Sequence, residues 1–127
     1  MRTNATNIIY KELSYKLNGI FFVVHNKLGR FKNEKQYQDA IENELQLLKI
    51  SYQREVAISP LFQGERKRRN ICDFIIEDKI IIDTKVKRII TKEDYFQMKR
   101  YLTSSKLKLG IIVNFRQKYL VPKRVVN

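Results

Sequence analysis

An α/β fold with a mixed central sheet flanked by helices is predicted for this chain of 127 residues. Two periodicities predict it. Apolar residues recur at spacings of three and four in some stretches, the period of a helix, and form short β-branched blocks of strand length in others. Taken in order, these stretches read α-α-β-β-β-α-β. No linker, repeat or low-complexity tract interrupts them, so residues 1–127 are expected to form a single domain. Hydrophobic residues at 43% and charged residues at 31% suit a chain of this length that buries a core.

Leu13, Leu17, Ile20, Val24 and Leu28 line one side of an amphipathic helix over about residues 8–28, and Gly29 suits its end. Asn33 followed three positions on by Gln36 has the form of a capping box. Tyr37, Ile41, Leu45 and Leu48 then make the apolar face of a second helix. Residues 52–58 alternate as a strand and stop before Pro60. Phe62-Gln63-Gly64 reads as a turn into a strand over 70–76, and a polar break at Glu77-Asp78-Lys79 separates that strand from another over 80–86. Thr91 and Asp94 are spaced as a cap for a helix running to about residue 103. Residues 107–115 form a last apolar strand, and from Arg116 the chain reads as a short basic tail.

The hairpin over 70–86 carries charges where a buried strand should have none. Asp83 and Lys85 are two residues apart and point the same way. A three-residue loop at 77–79 would set Asp73 opposite Asp83, whereas a two-residue loop would shift the pairing by one. In the first register two carboxylates and an ammonium meet in strands that are otherwise apolar. Such charges are costly to bury unless they pair or bind a metal. Two carboxylates sharing one site repel each other unless a divalent cation offsets them. Mg²⁺ is commonly held by one or two carboxylates, waters and phosphate oxygens, a set that Asp73 and Asp83 would begin to supply, with Mn²⁺ as its alternative. The plainer reading is a buried carboxylate pair stabilised by Lys85.

Lysine and arginine number 26 against 13 acids, a formal net charge of +13. So strong a positive field calls for a polyanion, and nucleic acid is the first expectation, with DNA favoured over RNA as a choice that the charge itself does not make. The basic residues are spread along the chain instead of forming one amphipathic helix, so a membrane is not expected as partner. Arg66-Lys67-Arg68-Arg69, with Lys87, Arg88, Lys99 and Arg100, lie near the charged hairpin in sequence and are the candidate phosphate-binding surface. Charge runs are ordinarily solvated faces, and proximity to the hairpin is what singles these out. One cysteine, Cys72, allows no internal disulfide, and no stretch is apolar enough for a signal or a membrane span. A cytoplasmic protein is expected. No phosphate-loop glycines, zinc-binding cysteine pair or serine nucleophile elbow is present.

The ordered set Val24-His25, Leu28-Gly29, Glu34 with Tyr37, Glu44-Leu45, Asp73-Phe74, Asp83-Thr84-Lys85, Gln97 with Tyr101-Leu102, and 110–115 resembles the PD-(D/E)xK nuclease fold. More narrowly, it is similar to the small GxxExxR family within that fold. The chain departs from that family in having one glycine in Gly29-Arg30-Phe31 and Asp83 where Glu is more usual. The resemblance implies a metal-dependent phosphodiesterase, an endonuclease by preference. It implies metal ligation by Asp73, Asp83, the Thr84 carbonyl and Glu34, with catalytic roles for Glu34, Asp73, Asp83, Lys85 and Gln97. Lys85 would hold the attacking water, and Gln97 would orient that water or touch DNA. In the plainer readings Glu34 merely favours a helix N-terminus and Gln97 sits on a helix surface. Glu44 is the fallback carboxylate, and His25 reads as a packing residue. Two other expectations stand beside the enzyme: a nucleic-acid-binding module without turnover, and a component that binds an acidic protein partner. A homodimer would bring two such sites to two strands, although no stretch of sequence indicates one.

Overall fold

A computed structural model describes residues 9–60, 62–66 and 70–127. Its elements are α1 (Lys11–Leu28), α2 (Glu34–Leu47), β1 (Tyr52–Ala57), β2 (Ile71–Ile76), β3 (Ile80–Lys85), α3 (Lys92–Ser105), β4 (Leu109–Asn114) and β5 (Lys123–Val126). The strands form one sheet in the order β1-β2-β3-β4-β5. Only β3 and β4 run parallel, joined across the sheet by α3, and every other neighbour is antiparallel.

Both expected capping boxes form. Asn33 accepts from the Gln36 amide while the Gln36 side chain accepts from the Asn33 amide, and Thr91 and Asp94 exchange the same pair of bonds. The first helix starts at Lys11, after Tyr10 in a left-handed conformation; Ile8 lies outside the described residues. The tail holds a fifth strand, a correction to the reading of 116–127. Leu109 pairs Val126, and Gly110 pairs Val125. Four residues with two cations give too short an alternation to read as a strand. Basic side chains do suit an edge, where they discourage further pairing.

Apolar residues divide into two clusters, one on each face of the sheet. Leu17, Ile20 and Phe21 of α1 and Tyr37, Ile41 and Leu45 of α2 pack on Phe74, Ile76, Ile80 and Ile82. On the other face Met98, Tyr101 and Leu102 of α3 pack on Ile81, Ile112 and Val125. Gly110 lets α3 come close: a Cβ there would lie 2.3 Å from Met98 Sδ.

The hairpin register is the one a three-residue loop gives, with Ile76 opposite Ile80 and Phe74 opposite Ile82. Glu77 and Asp78 turn the chain with φ of 50° and 55°. Continued by one pair, that register sets Asp73 against Asp83, but the regular ladder stops at Phe74. A break occurs on the other side of β2 as well. Arg54 pairs Phe74 and Val56 pairs Cys72, while Glu55 between them has φ 54°. In a regular strand Cys72 and Phe74 would share a face. Here Phe74 packs under α1 and α2, and Cys72 packs under α3. The strand turns over at Asp73.

Candidate active site

Where the β2–β3 ladder ends, the carboxylate of Asp73 takes over. Its Oδ2 accepts from the Thr84 amide at 2.7 Å and from the Thr84 hydroxyl at 2.8 Å. Thr84 is wholly buried, and its hydroxyl also accepts from Gln38 Nε2 at 2.8 Å. Gln38 Nε2 lies 3.2 Å from Glu34 Oε1 as well, and Arg54 donates to Gln38 Oε1 at 3.4 Å. Arg54 is itself held at 2.8 Å by both Asp39 and Glu42. A chain of polar contacts thus runs from β1 through α2 to Asp73.

Asp83 and Lys85 stand beside Asp73, on the side of β3 that α3 covers. Lys85 Nζ lies 3.2 Å from Asp83 Oδ2, 3.9 Å from Asp94 Oδ1 and donates to Gln97 Oε1 at 3.0 Å. Asp83 Oδ2 is buried, and beyond this Lys85 contact no hydrogen bond of good geometry reaches it from the described residues. Burial raises the pKa of Asp83 to about 7; the Lys85 charge opposes the rise, and the Asp73 carboxyl, near enough to share a proton with it, adds to it. Glu34 is also raised, by burial first and then by Asp73, against the pull of Lys85. Burial works against the charge on Asp94, yet the Lys87 hydrogen bonds, the Thr91 amide and hydroxyl and the Lys85 charge keep its carboxyl below the ordinary value.

Asp73, Asp83, Lys85 and Gln97 therefore meet from β2, β3 and α3, and Glu34 at the start of α2 lies near enough to feel the charges of Asp73 and Lys85. Glu34 occupies the first position of α2 because Asn33 caps that helix. Gln97 reaches Lys85 because the Thr91–Asp94 box starts α3 and Gly110 lets the helix lie close to the sheet. Glu44 points elsewhere and pairs with Lys27 at 3.7 Å. His25 lies on a packed aromatic group, its ring 6.3 Å from that of Phe115, with Nε2 2.8 Å from the Gln117 carbonyl. Burial pushes the Cys72 thiol up to about 12, which leaves it unreactive.

The basic residues are more scattered in their engagement. Lys87 is committed to Asp94, at 2.9 and 3.1 Å, and Lys99 donates to the Val126 carbonyl at 2.9 Å. Arg66, Arg88 and Arg100 are exposed. Lys67, Arg68 and Arg69 lie outside the described residues.

Sequence reading missed Gln38, Arg54 and Asn114. Gln38 stands four residues after Glu34, one turn along the same helix face, which was the available signal. Nothing local marks Asn114, a buried side chain that donates to the Lys87 carbonyl at 2.7 Å and accepts from the Lys87 amide at 3.1 Å. It fixes the chain as it leaves β3.

No three His, Cys, Asp or Glu side chains among the described residues are gathered as a metal-binding group. The donor chemistry of the pair nonetheless suits a hard cation: two adjoining carboxyls, one with a buried oxygen that receives no well-directed hydrogen bond among the described residues. A family model described as the PD-(D/E)XK nuclease superfamily matches residues 11–125. The chain belongs to that superfamily. No curated protein and no solved structure matches it. Among the described residues, no helix is long and apolar enough to cross a membrane.

Proposed function

We propose that this protein is a divalent-metal-dependent endonuclease of the GxxExxR type that hydrolyses phosphodiester bonds, DNA before RNA, in the cytoplasm. The observation that carries the proposal is the meeting of Asp73, Asp83 and Lys85 at the end of the hairpin, with Asp83 Oδ2 buried 3.2 Å from the Lys85 ammonium. Asp73, Asp83 and the Thr84 carbonyl, with Glu34 beside them, would hold Mg²⁺ or Mn²⁺. When bound, the cation would polarise the phosphate and acidify water.

The protein's own groups do the rest. Hydrolysis adds a water oxygen to phosphorus as the opposite P–O bond breaks and its oxygen leaves with a proton. Lys85, an ammonium held by Gln97 at 3.0 Å, orients that water and offsets the negative charge that grows on the phosphate oxygens. Gln97 acts as a positioning residue, because it fixes the ammonium. Glu34, whose pKa is held above the ordinary value by burial and by Asp73, would align a water beside the pair. Exposed Arg66, Arg88 and Arg100, together with Lys67, Arg68, Arg69, Lys87 and Lys99, would steer the nucleic-acid backbone towards the site.

The test is incubation of purified protein with single-stranded, duplex and branched DNA and with RNA, in Mg²⁺, Mn²⁺ or EDTA. Cleavage should require the metal and vanish in Asp83→Asn and in Lys85→Ala. Failure to cut any substrate in either metal would replace the enzyme by a nucleic-acid-binding module. Cleavage undiminished in both variants would reveal a contaminating nuclease.

A further inference from the structure

We infer that Phe31, flanked by Arg30 and Arg116, is a stacking platform for an unpaired base of the nucleic-acid strand that enters the site. Phe31 is 74% exposed, although it sits in the loop directly before Glu34. Two guanidinium groups lie over its ring, Arg30 at 5.1 Å and Arg116 at 5.8 Å from the centroid, and the exposure of the side chain leaves ring surface open to solvent. The arginines are locked to each other: Arg30 Nε donates to the Arg116 carbonyl at 2.8 Å, and Arg116 Nε donates to the Arg30 carbonyl at 3.1 Å. Neither forms an ion pair with a carboxylate among the described residues. Their charge is therefore available to a ligand.

Tyr37 ties down the loop beneath. The Tyr37 hydroxyl donates to the Gly29 carbonyl at 2.6 Å and accepts from the Lys32 amide at 3.2 Å, and the Tyr37 ring stacks on Phe115 at 4.4 Å. Phe115 in turn donates its amide to the Lys85 carbonyl at 2.9 Å. Arg116 thus leaves the carboxyl end of β4 beside the residue that carries the site's ammonium. Along the chain, Phe31 is three residues from Glu34, within about 11 Å between Cα atoms. That reach spans a few nucleotides.

An exposed ring with two unneutralised cations is poorly suited to a dry protein interface and well suited to an anion that carries flat faces. Single-strand binders join aromatic stacking to backbone-directed charge in this way, and bases inside a duplex have no free face to offer. The inference rests on the nuclease reading for its account of which strand enters. It narrows the substrate to one with an unpaired segment near the cleaved bond.

The test measures binding in EDTA, so that cleavage plays no part. Wild-type protein, Phe31→Ala, Phe31→Leu and Phe31→Tyr are titrated with a single-stranded DNA carrying one 2-aminopurine, with the matching RNA, and with blunt duplex. Wild type should change the fluorescence of the analogue. Phe31→Ala and Phe31→Leu should lose that change and bind single strands roughly 5- to 100-fold more weakly, with duplex affinity held within about twofold. Phe31→Tyr should restore both, and the arm with the larger loss tells DNA from RNA. Equal losses on single strand and duplex, no loss, or a change of sedimentation in Phe31→Ala that marks a protein interface would each overturn the platform. Asp83→Asn should keep the fluorescence change while losing cleavage. If wild type cuts nothing but Phe31→Ala still loses single-strand binding, the nuclease reading fails and the platform stands. If wild type cuts and Phe31→Ala binds normally, the reverse holds.

Discussion

Thr84 gives both of its donors, the backbone amide and the side-chain hydroxyl, to the same oxygen of Asp73. A carboxylate thereby stands where the hairpin ladder would otherwise continue. The arrangement fixes Asp73 against β3 and ties it, through the same hydroxyl, to Gln38 on α2. Thr84→Val keeps the shape and the backbone-amide bond but removes the hydroxyl, so that Asp73 Oδ2 loses one of its two donors and Gln38 Nε2 keeps only its contact with Glu34. It should cost about 1–3 kcal/mol of stability, measured by urea unfolding, while Thr84→Ser should stay close to wild type. Equal stability of the valine and serine variants would show that the hydroxyl has no such role.

Asp83 makes the fold sensitive to pH. Its folded pKa of about 7 lies above the ordinary carboxyl value of 3.8, so between these the native state binds more protons than the unfolded chain. The stabilisation is therefore full below about pH 4 and lost as pH rises through 7, by at most about 1.4 kcal/mol per pH unit. Glu34, also raised, acts in the same direction. Asp94, held low, acts in the opposite direction but only in acid. Without metal, melting temperature should fall from pH 5 to pH 8. Mg²⁺ should recover more of it at pH 8, where the carboxylates are ionised. Asp83→Asn should flatten both trends. A wild-type melting temperature that rises over this range and is blind to Mg²⁺ would refute the account.

Gln97 tests the positioning of the ammonium. Gln97→Ala leaves Lys85 with only its carboxylate neighbours, so cleavage should drop about tenfold or more through lost orientation. Affinity for DNA in EDTA should hardly move. A matched loss of affinity would instead make Gln97 a DNA contact.

Salt should weaken nucleic-acid binding steeply. Each phosphate neutralised releases condensed counterion, with a log–log slope of about −0.9 per contact on duplex. Replacing Arg66, Lys67, Arg68 and Arg69 by alanine should flatten the slope and weaken all sequences alike. An unchanged slope would remove those four residues from the interface.

The sequence by itself determined the helices, the hairpin and the acid–acid–lysine set, because these depend on neighbours. Period, caps at Asn33 and Thr91, and the alternation that puts Asp83 and Lys85 on one face all act over a few residues. The three-residue loop was legible as one of two registers, and the fold resolved it through Ile76 and Ile80. Tertiary structure alone decided the rest. The strand turns over at Asp73 because a side chain replaces a ladder bond there, which no pattern of apolar residues encodes. The last strand exists because β4 offers it an edge, so that four residues too short to declare themselves find partners. Gln38, Arg54 and Asn114 look like ordinary polar residues in the sequence. They become part of the site only when α2, β1 and the end of β4 close around Thr84 and Lys87, since a buried polar group takes its meaning from the partner that satisfies it.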